Sequence, residues 1–220
     1  MENKITNTKK GVFIVFEGID GSGKTTQIKK LSEKLQADGY DIYRTFEPSN
    51  GPVGTLVRDM LQGRIETDQR TIALLFAADR TDHLVNKKNG IADQVRQGKI
   101  VLCDRYYFSS YAYHSQYVDM DWVIQSNLIN ADILRPDLNI FIDVDPQACF
   151  KRLEQRQEEF ELYEKIDIIK KVRDLYFEAF DKLNKKEHIV IIDGNADENV
   201  VAQRVYQEII KTLKIDKCHG

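Results

Sequence analysis

Gly18-Ile19-Asp20-Gly21-Ser22-Gly23-Lys24-Thr25 spells a complete G-x-x-x-x-G-K-[ST] loop and follows directly on the apolar run Val12-Phe13-Ile14-Val15-Phe16. Such a loop works where a buried strand ends and a helix begins. Beyond it, Ile28, Leu31 and Leu35 recur at helical spacing, so strand, loop and helix are all expected. The glycines let backbone N–H groups curl around phosphate oxygens, and the helix N-terminus adds positive partial charge. Gly18, Ile19, Asp20, Gly21, Ser22, Gly23, Lys24, Thr25 and Thr26 are therefore expected to hold the phosphates of a nucleoside triphosphate. Lys24 would reach the β- and γ-phosphates, and the Thr25 hydroxyl would ligate Mg²⁺. A glycine-rich turn with a chance lysine is the bland alternative, and the strand-to-helix setting disfavours it.

A second charged group stands at the end of another apolar run, Ile100-Val101-Leu102-Cys103, which leads into Asp104-Arg105-Tyr106. In a doubly wound sheet the carboxyl ends of the strands line the ligand crevice, so both side chains would face bound phosphates. Asp104 suits the Mg²⁺ and its water, and Arg105 suits a phosphoryl group. An ordinary ion pair at a strand end explains the same letters equally well.

Positioning these groups requires strands alternating with helices. Besides the first run, strands are expected at Asp41–Phe46, Ile100–Cys103, Leu138–Val144 and His188–Ile192, with amphipathic stretches between them. The fold class expected is α/β, a P-loop NTPase fold with a five-stranded parallel sheet and helices on both faces. The 220 residues, 42% hydrophobic, suffice for one domain spanning residues 1–220. A net charge of −3 provides no global basic field, so neither nucleic acid nor an anionic membrane is an expected partner. Three scattered cysteines without a C-x-x-C pair suit a reducing, cytoplasmic setting. The first ten residues are polar and no apolar run reaches the length of a membrane span. The histidines form no ligand-like cluster, leaving nucleotide-borne Mg²⁺ as the expected metal.

A phosphate loop alone leaves the second substrate open. A GTPase would carry a guanine-reading N-K-x-D segment, whereas Asn86-Lys87-Lys88-Asn89 lacks the aspartate. The loop Phe16 to Gln27, then Glu47-Pro48, Leu75-Phe76-Ala77-Ala78-Asp79-Arg80, and Asp104-Arg105-Tyr106 with Ser109, Ala112 and Tyr113, resemble the thymidylate kinases in order and spacing. The similarity covers nearly the whole chain. It implies transfer of the ATP γ-phosphoryl group to dTMP, giving dTDP and ADP. It further implies that Phe76 stacks on the thymine, that Arg80 at i+4 bonds the base O4, and that Ser109 and Ser110 line the pocket, Ser110 near the base N3. By the same resemblance Glu47 and Pro48 shape that pocket, Arg58 and Arg105 clamp the 5′-phosphate, and Tyr113 crowds C2′ of the sugar. Asp20 is implied near the acceptor phosphate. For Phe76 plain core packing is the competing explanation, and for Arg58 a solvated face charge.

The resemblance implies a mobile lid at about residues 151–165. Relatives lacking an arginine at the Gly21 position carry the catalytic arginine in that lid. The common Asp-Arg-x-Glu element reads Glu161-Leu162-Tyr163-Glu164 here, with leucine at the arginine position. Arg156 is the first candidate for the transition-state cation, and Arg152 is expected near the adenine or the phosphates. Many relatives place arginine directly before Glu-Pro; here Phe46 stands there and Arg44 two residues earlier. Their Ala-Tyr-Gln is Ala112-Tyr113-His114, and His114 receives no role. Relatives are homodimers through a helix face, which is carried over as an expectation. Two alternatives stay open: a kinase of another nucleotide, and a nucleotide-binding regulatory module without catalysis, suggested by Leu162.

Overall fold

The structure is a computed structural model describing residues 11–155 and 162–213. Its first half runs β1 (Val12–Glu17), α1 (Lys24–Ala37), β2 (Ile42–Phe46), α2 (Pro52–Leu61), α3 (Gln69–Val85), α4 (Ile91–Arg96) and β3 (Ile100–Asp104). Next come α5 (Tyr107–His114), α6 (Met120–Ser126), α7 (Leu128–Ile133), β4 (Leu138–Asp143), α8 (Pro146–Glu154), α9 (Leu162–Leu183), β5 (Ile189–Asp193) and α10 (Glu198–Leu213). Among the described residues the strands form one sheet in the order β2-β3-β1-β4-β5, every pairing parallel. The β1 strand lies at the centre, so its C-terminal loop opens where the strand order switches direction, the crevice expected of a doubly wound sheet.

Burial follows this order. Phe13, Ile14, Val15 and Phe16 of β1 are fully buried, as are Val101, Leu102 and Cys103 of β3. The edge strands β2 and β5 expose part of their side chains. That explains why the inner strands read as continuous apolar runs and the outer ones do not. The β3 strand continues one residue past its expected end at Cys103, because Asp104 stays in register with Phe16 and Phe46. Elsewhere the expected strand ends shift by a residue: β2 begins at Ile42, β4 stops at Asp143 and β5 spans Ile189–Asp193.

Register also assigns faces. Glu17 pairs with Phe141, so both side chains leave the sheet on the same side. There the Phe141 ring meets Tyr176, Phe177 and Phe180 of α9 at centroid distances of 4.9, 5.6 and 5.1 Å. Phe108 of α5 joins them, 5.0 Å from Phe180. This aromatic seam locks α5 and α9 onto the sheet beside the β1 loop, with each ring pair adding about 0.5–1.5 kcal/mol beyond its burial. A carboxylate at the end of β1 therefore enters an otherwise apolar layer.

Candidate active site

The phosphate loop leaves β1 at Gly18 and enters α1 through Gly23, which caps the helix in the left-handed region at φ 92°. Gly21 also has positive φ, 80°, and a Cβ there would come within 2.7 Å of the Cys149 carbonyl oxygen. No side chain fits at that position without moving α8. Lys24 is buried, and its Nζ donates to the carbonyls of Gly18 and Ile19 at 2.9 and 3.0 Å. Burial, with Arg105 adding repulsion, lowers its pKa to about 8. Thr25 Oγ1 donates to Asp104 Oδ2 at 2.6 Å. Two hard oxygens so close are a donor set that Mg²⁺ takes together with phosphate oxygens and water.

Across the loop opens a cavity of about 500 Å³ whose lining includes Asp20, Glu47, Pro48, Phe76, Arg105, Ser109, Ser110, Tyr113 and His114. Asp20 and Arg105 stand at its junction with the loop. Arg105 Nη2 donates to Asp20 Oδ1 at 2.5 Å, and Tyr113 OH donates to Asp20 Oδ2 at 2.9 Å. The guanidinium lies 4.9 Å from the centre of the Tyr113 ring and donates through Nη1 to Ser109 Oγ at 3.1 Å. Burial works against ionisation of Asp20, but Arg105 and Lys24 outweigh it and hold the carboxyl below its ordinary range. The result is a pocket of mixed apolar and polar lining with one guanidinium presented at the end nearest the phosphate loop.

A family model described as Thymidylate kinase matches residues 16–205. The chain is 40% identical over 204 residues to a probable thymidylate kinase of Methanocaldococcus jannaschii, covering 92% of this chain and 96% of that one. It is 37% identical over 200 residues to a putative thymidylate kinase of Treponema pallidum, covering 90% and 94%. A probable thymidylate kinase of Pyrococcus horikoshii shares 39% over 173 residues, covering 76% and 82%. The chain belongs to the thymidylate kinase family. It is thus a nucleoside monophosphate kinase, a phosphotransferase.

Against that family's expected site, Phe76 lines the cavity and its ring lies 4.8 Å from the His114 ring. Arg80, on the same helix face, is only 1% exposed and points into the wall behind the cavity. It pairs with Glu47 Oε2, its Nη2 at 2.6 Å, and donates to Asn127 Oδ1 and, at 3.2 Å, to Ser110 Oγ. Helical spacing brings Phe76 and Arg80 together, but it does not reveal that a carboxylate draws the guanidinium inward. Arg58 likewise does not line the cavity; it donates to the carbonyls of Pro48 and Ser49 at 2.9 and 2.5 Å. Arg44 is exposed and lines a separate recess with His83 and Lys88. Arg152 Nη1 donates to the Gly21 carbonyl at 3.1 Å, beside the phosphate loop. Arg156 and the rest of residues 156–161 of the expected lid lie outside the described residues.

Three residues without an assigned role stand in or against the site. His114 is buried in the cavity lining, and burial, then the Arg80 charge, lower its pKa to about 4, so it is a neutral imidazole. Asp79 accepts from Ser49 N and Oγ at 2.7 and 2.5 Å and thereby fixes the loop on which Arg58 rests. Glu17 is fully buried between the phosphate loop and α5. Its signal in the sequence is a carboxylate closing an otherwise apolar strand, Val12 to Glu17.

Proposed function

We propose that this chain transfers the γ-phosphoryl group of ATP to dTMP, giving dTDP and ADP. The observation that carries the reading is the junction of loop and cavity: Arg105 and Asp20 meet at 2.5 Å where a donor phosphate and an acceptor phosphate would face each other. In that arrangement a phosphate oxygen of dTMP attacks the γ-phosphorus while its bond to the β-bridging oxygen breaks. Such transfer is mostly positioning and charge neutralisation. Arg105 would hold the acceptor phosphate, and Asp20 would keep that guanidinium turned toward the loop. Lys24 would exchange the Gly18 and Ile19 carbonyls for β- and γ-phosphate oxygens. Arg58 and Arg80 act from behind the pocket, supporting the Glu47-Pro48 wall.

Mg²⁺ held by Thr25, Asp104 and the phosphates supplies positive charge to the transferring group when bound. We assign the remaining cation to Arg156, in a lid at about residues 151–165, with Arg152 beside the loop. Arg156→Ala should then lower kcat far more than ATP affinity, and an unchanged kcat would withdraw the assignment.

We also propose a homodimer in the cytoplasm, formed by one catalytic domain per chain. Leu74, Ala78 and Val85 recur on one exposed face of α3, and α7, which packs against α3, exposes Leu128 and Ile129, which supports association through helices. No helix among the described residues is long and apolar enough to cross a membrane. The test of the activity is ADP formation that depends on dTMP, with Lys24→Ala as background. A wild-type rate no higher than that background would sink the reading.

A further inference from the structure

Arg105 has φ 71°, the one non-glycine residue with positive φ among those described. This conformation is unfavourable for an L-residue, so neighbouring structure must impose it. Arg105 N donates to the Phe16 carbonyl at 2.9 Å, which ties one side of the residue to β1. The other side runs straight into α5, whose N-cap, Tyr106, supplies no side-chain cap. Four helix-start N–H groups ordinarily need a partner, and here the site is buried away from water.

Glu17 supplies it. Its Oε1 accepts from Tyr106 N at 2.9 Å and from Ser109 N at 3.2 Å, the N-cap and third-position amides that a capping box would satisfy from within the helix. Its Oε2 accepts from Ser109 Oγ at 2.6 Å and from Tyr176 OH of α9 at 3.0 Å. Ser109 Oγ, its proton committed to Glu17, turns a lone pair to Arg105 Nη1 at 3.1 Å. The carboxylate thus holds the peptide that joins Arg105 to Tyr106 and, through Ser109 Oγ, reaches one nitrogen of the guanidinium. Glu17 itself does not line the cavity.

We propose that Glu17 is a positioning residue for Arg105: a cap supplied to α5 from the neighbouring strand, setting the guanidinium that holds the acceptor phosphate. Tyr176 extends this control to α9. The proposal deepens the functional reading above and rests on it.

The experiment compares steady-state kinetics of wild type, Glu17→Gln, Arg105→Ala and the double variant, varying dTMP and ATP separately. Glu17→Gln keeps an oxygen for the two amides but replaces the charged acceptor of two hydroxyls. It should reduce kcat/KM for dTMP by about tenfold, the difference between charge-assisted and neutral hydrogen bonds. The KM for ATP should stay within about twofold of wild type, and on the Arg105→Ala background Glu17→Gln should change dTMP kinetics by less than about twofold. Equal losses toward both substrates, additive effects in the double variant, or wild-type kinetics would each overturn the proposal. Should Glu17→Gln fail to fold, Tyr176→Phe removes one donor without altering packing, and the same dTMP-selective loss, about threefold, is expected. A wild type inactive with dTMP would defeat the functional reading instead, and the comparison would be repeated with whichever monophosphate it does phosphorylate.

Discussion

Replacing Arg80 by alanine separates two roles that its position allows, ligand contact and wall support. Its guanidinium and the Glu47 carboxylate are 1% and 2% exposed and meet at 2.6 Å, so neither charge has water to fall back on. Removing one member of a buried pair costs about 3–5 kcal/mol, because the other is left buried and uncompensated. For a protein of this size a kcal/mol lowers Tm by roughly 2–4 °C, so Arg80→Ala should lose on the order of 10 °C. The same loss should appear in a urea titration as a lower midpoint at unchanged slope. Adding Glu47→Gln removes the stranded charge and should recover part of the stability. The Asn127 and Ser110 contacts would still be missing. A Tm within about 2 °C of wild type, with dTMP affinity alone reduced, would refute the buried-pair reasoning and return Arg80 to direct contact with the base.

Lys24, with its pKa lowered to about 8, gives a pH signature in the ligand-free protein. Above that pH the amine must take up a proton when phosphates bind, so ATP affinity measured by calorimetry should fall by about tenfold per unit between pH 8 and 10. Lys24→Arg, which stays charged, should flatten the profile, and an equally steep profile would reject Lys24 as its source. Tyr113→Ala should reduce preference for dTMP over UMP by about tenfold or more in competition assays, and undiminished preference would remove its steric role. Gly21→Ala forces a side chain to within 2.7 Å of the Cys149 carbonyl at a backbone φ of 80°. A stability loss of about 1–3 kcal/mol is expected in denaturant titration, and none would mean that α8 yields freely.

Legibility of this molecule in its sequence followed distance along the chain. The strand, loop and helix around Lys24 were readable because every cue lies within a few residues: an apolar run, three glycines, then helical spacing. Strand ends shifted by one residue, outward at Asp104, where pairing with β1 and β2 carried the ladder on, and inward at Ile42 and Asp143. The second layer of the site was hidden for the converse reason. Glu17 meets Ser109 across 92 positions and Tyr176 across 159, and Arg80 turns toward Glu47 and Asn127, 33 and 47 positions away. Periodicity assigns a residue to a face, but which buried partner then claims its charge is decided by packing. His114 shows the same limit: its letter alone carried no role, and only the cavity reveals a neutral ring opposite Phe76.

Which acceptor the cavity selects is the most direct measure of the two-sided site. Initial rates with ATP and dTMP, dUMP, UMP, CMP or AMP, measured side by side, should show dTMP used best and the ribonucleotides scarcely at all, with Arg105→Ala raising the KM for dTMP. Preference for a purine or a ribonucleotide, or an Arg105→Ala enzyme with wild-type kinetics, would contradict the two-sided site described here.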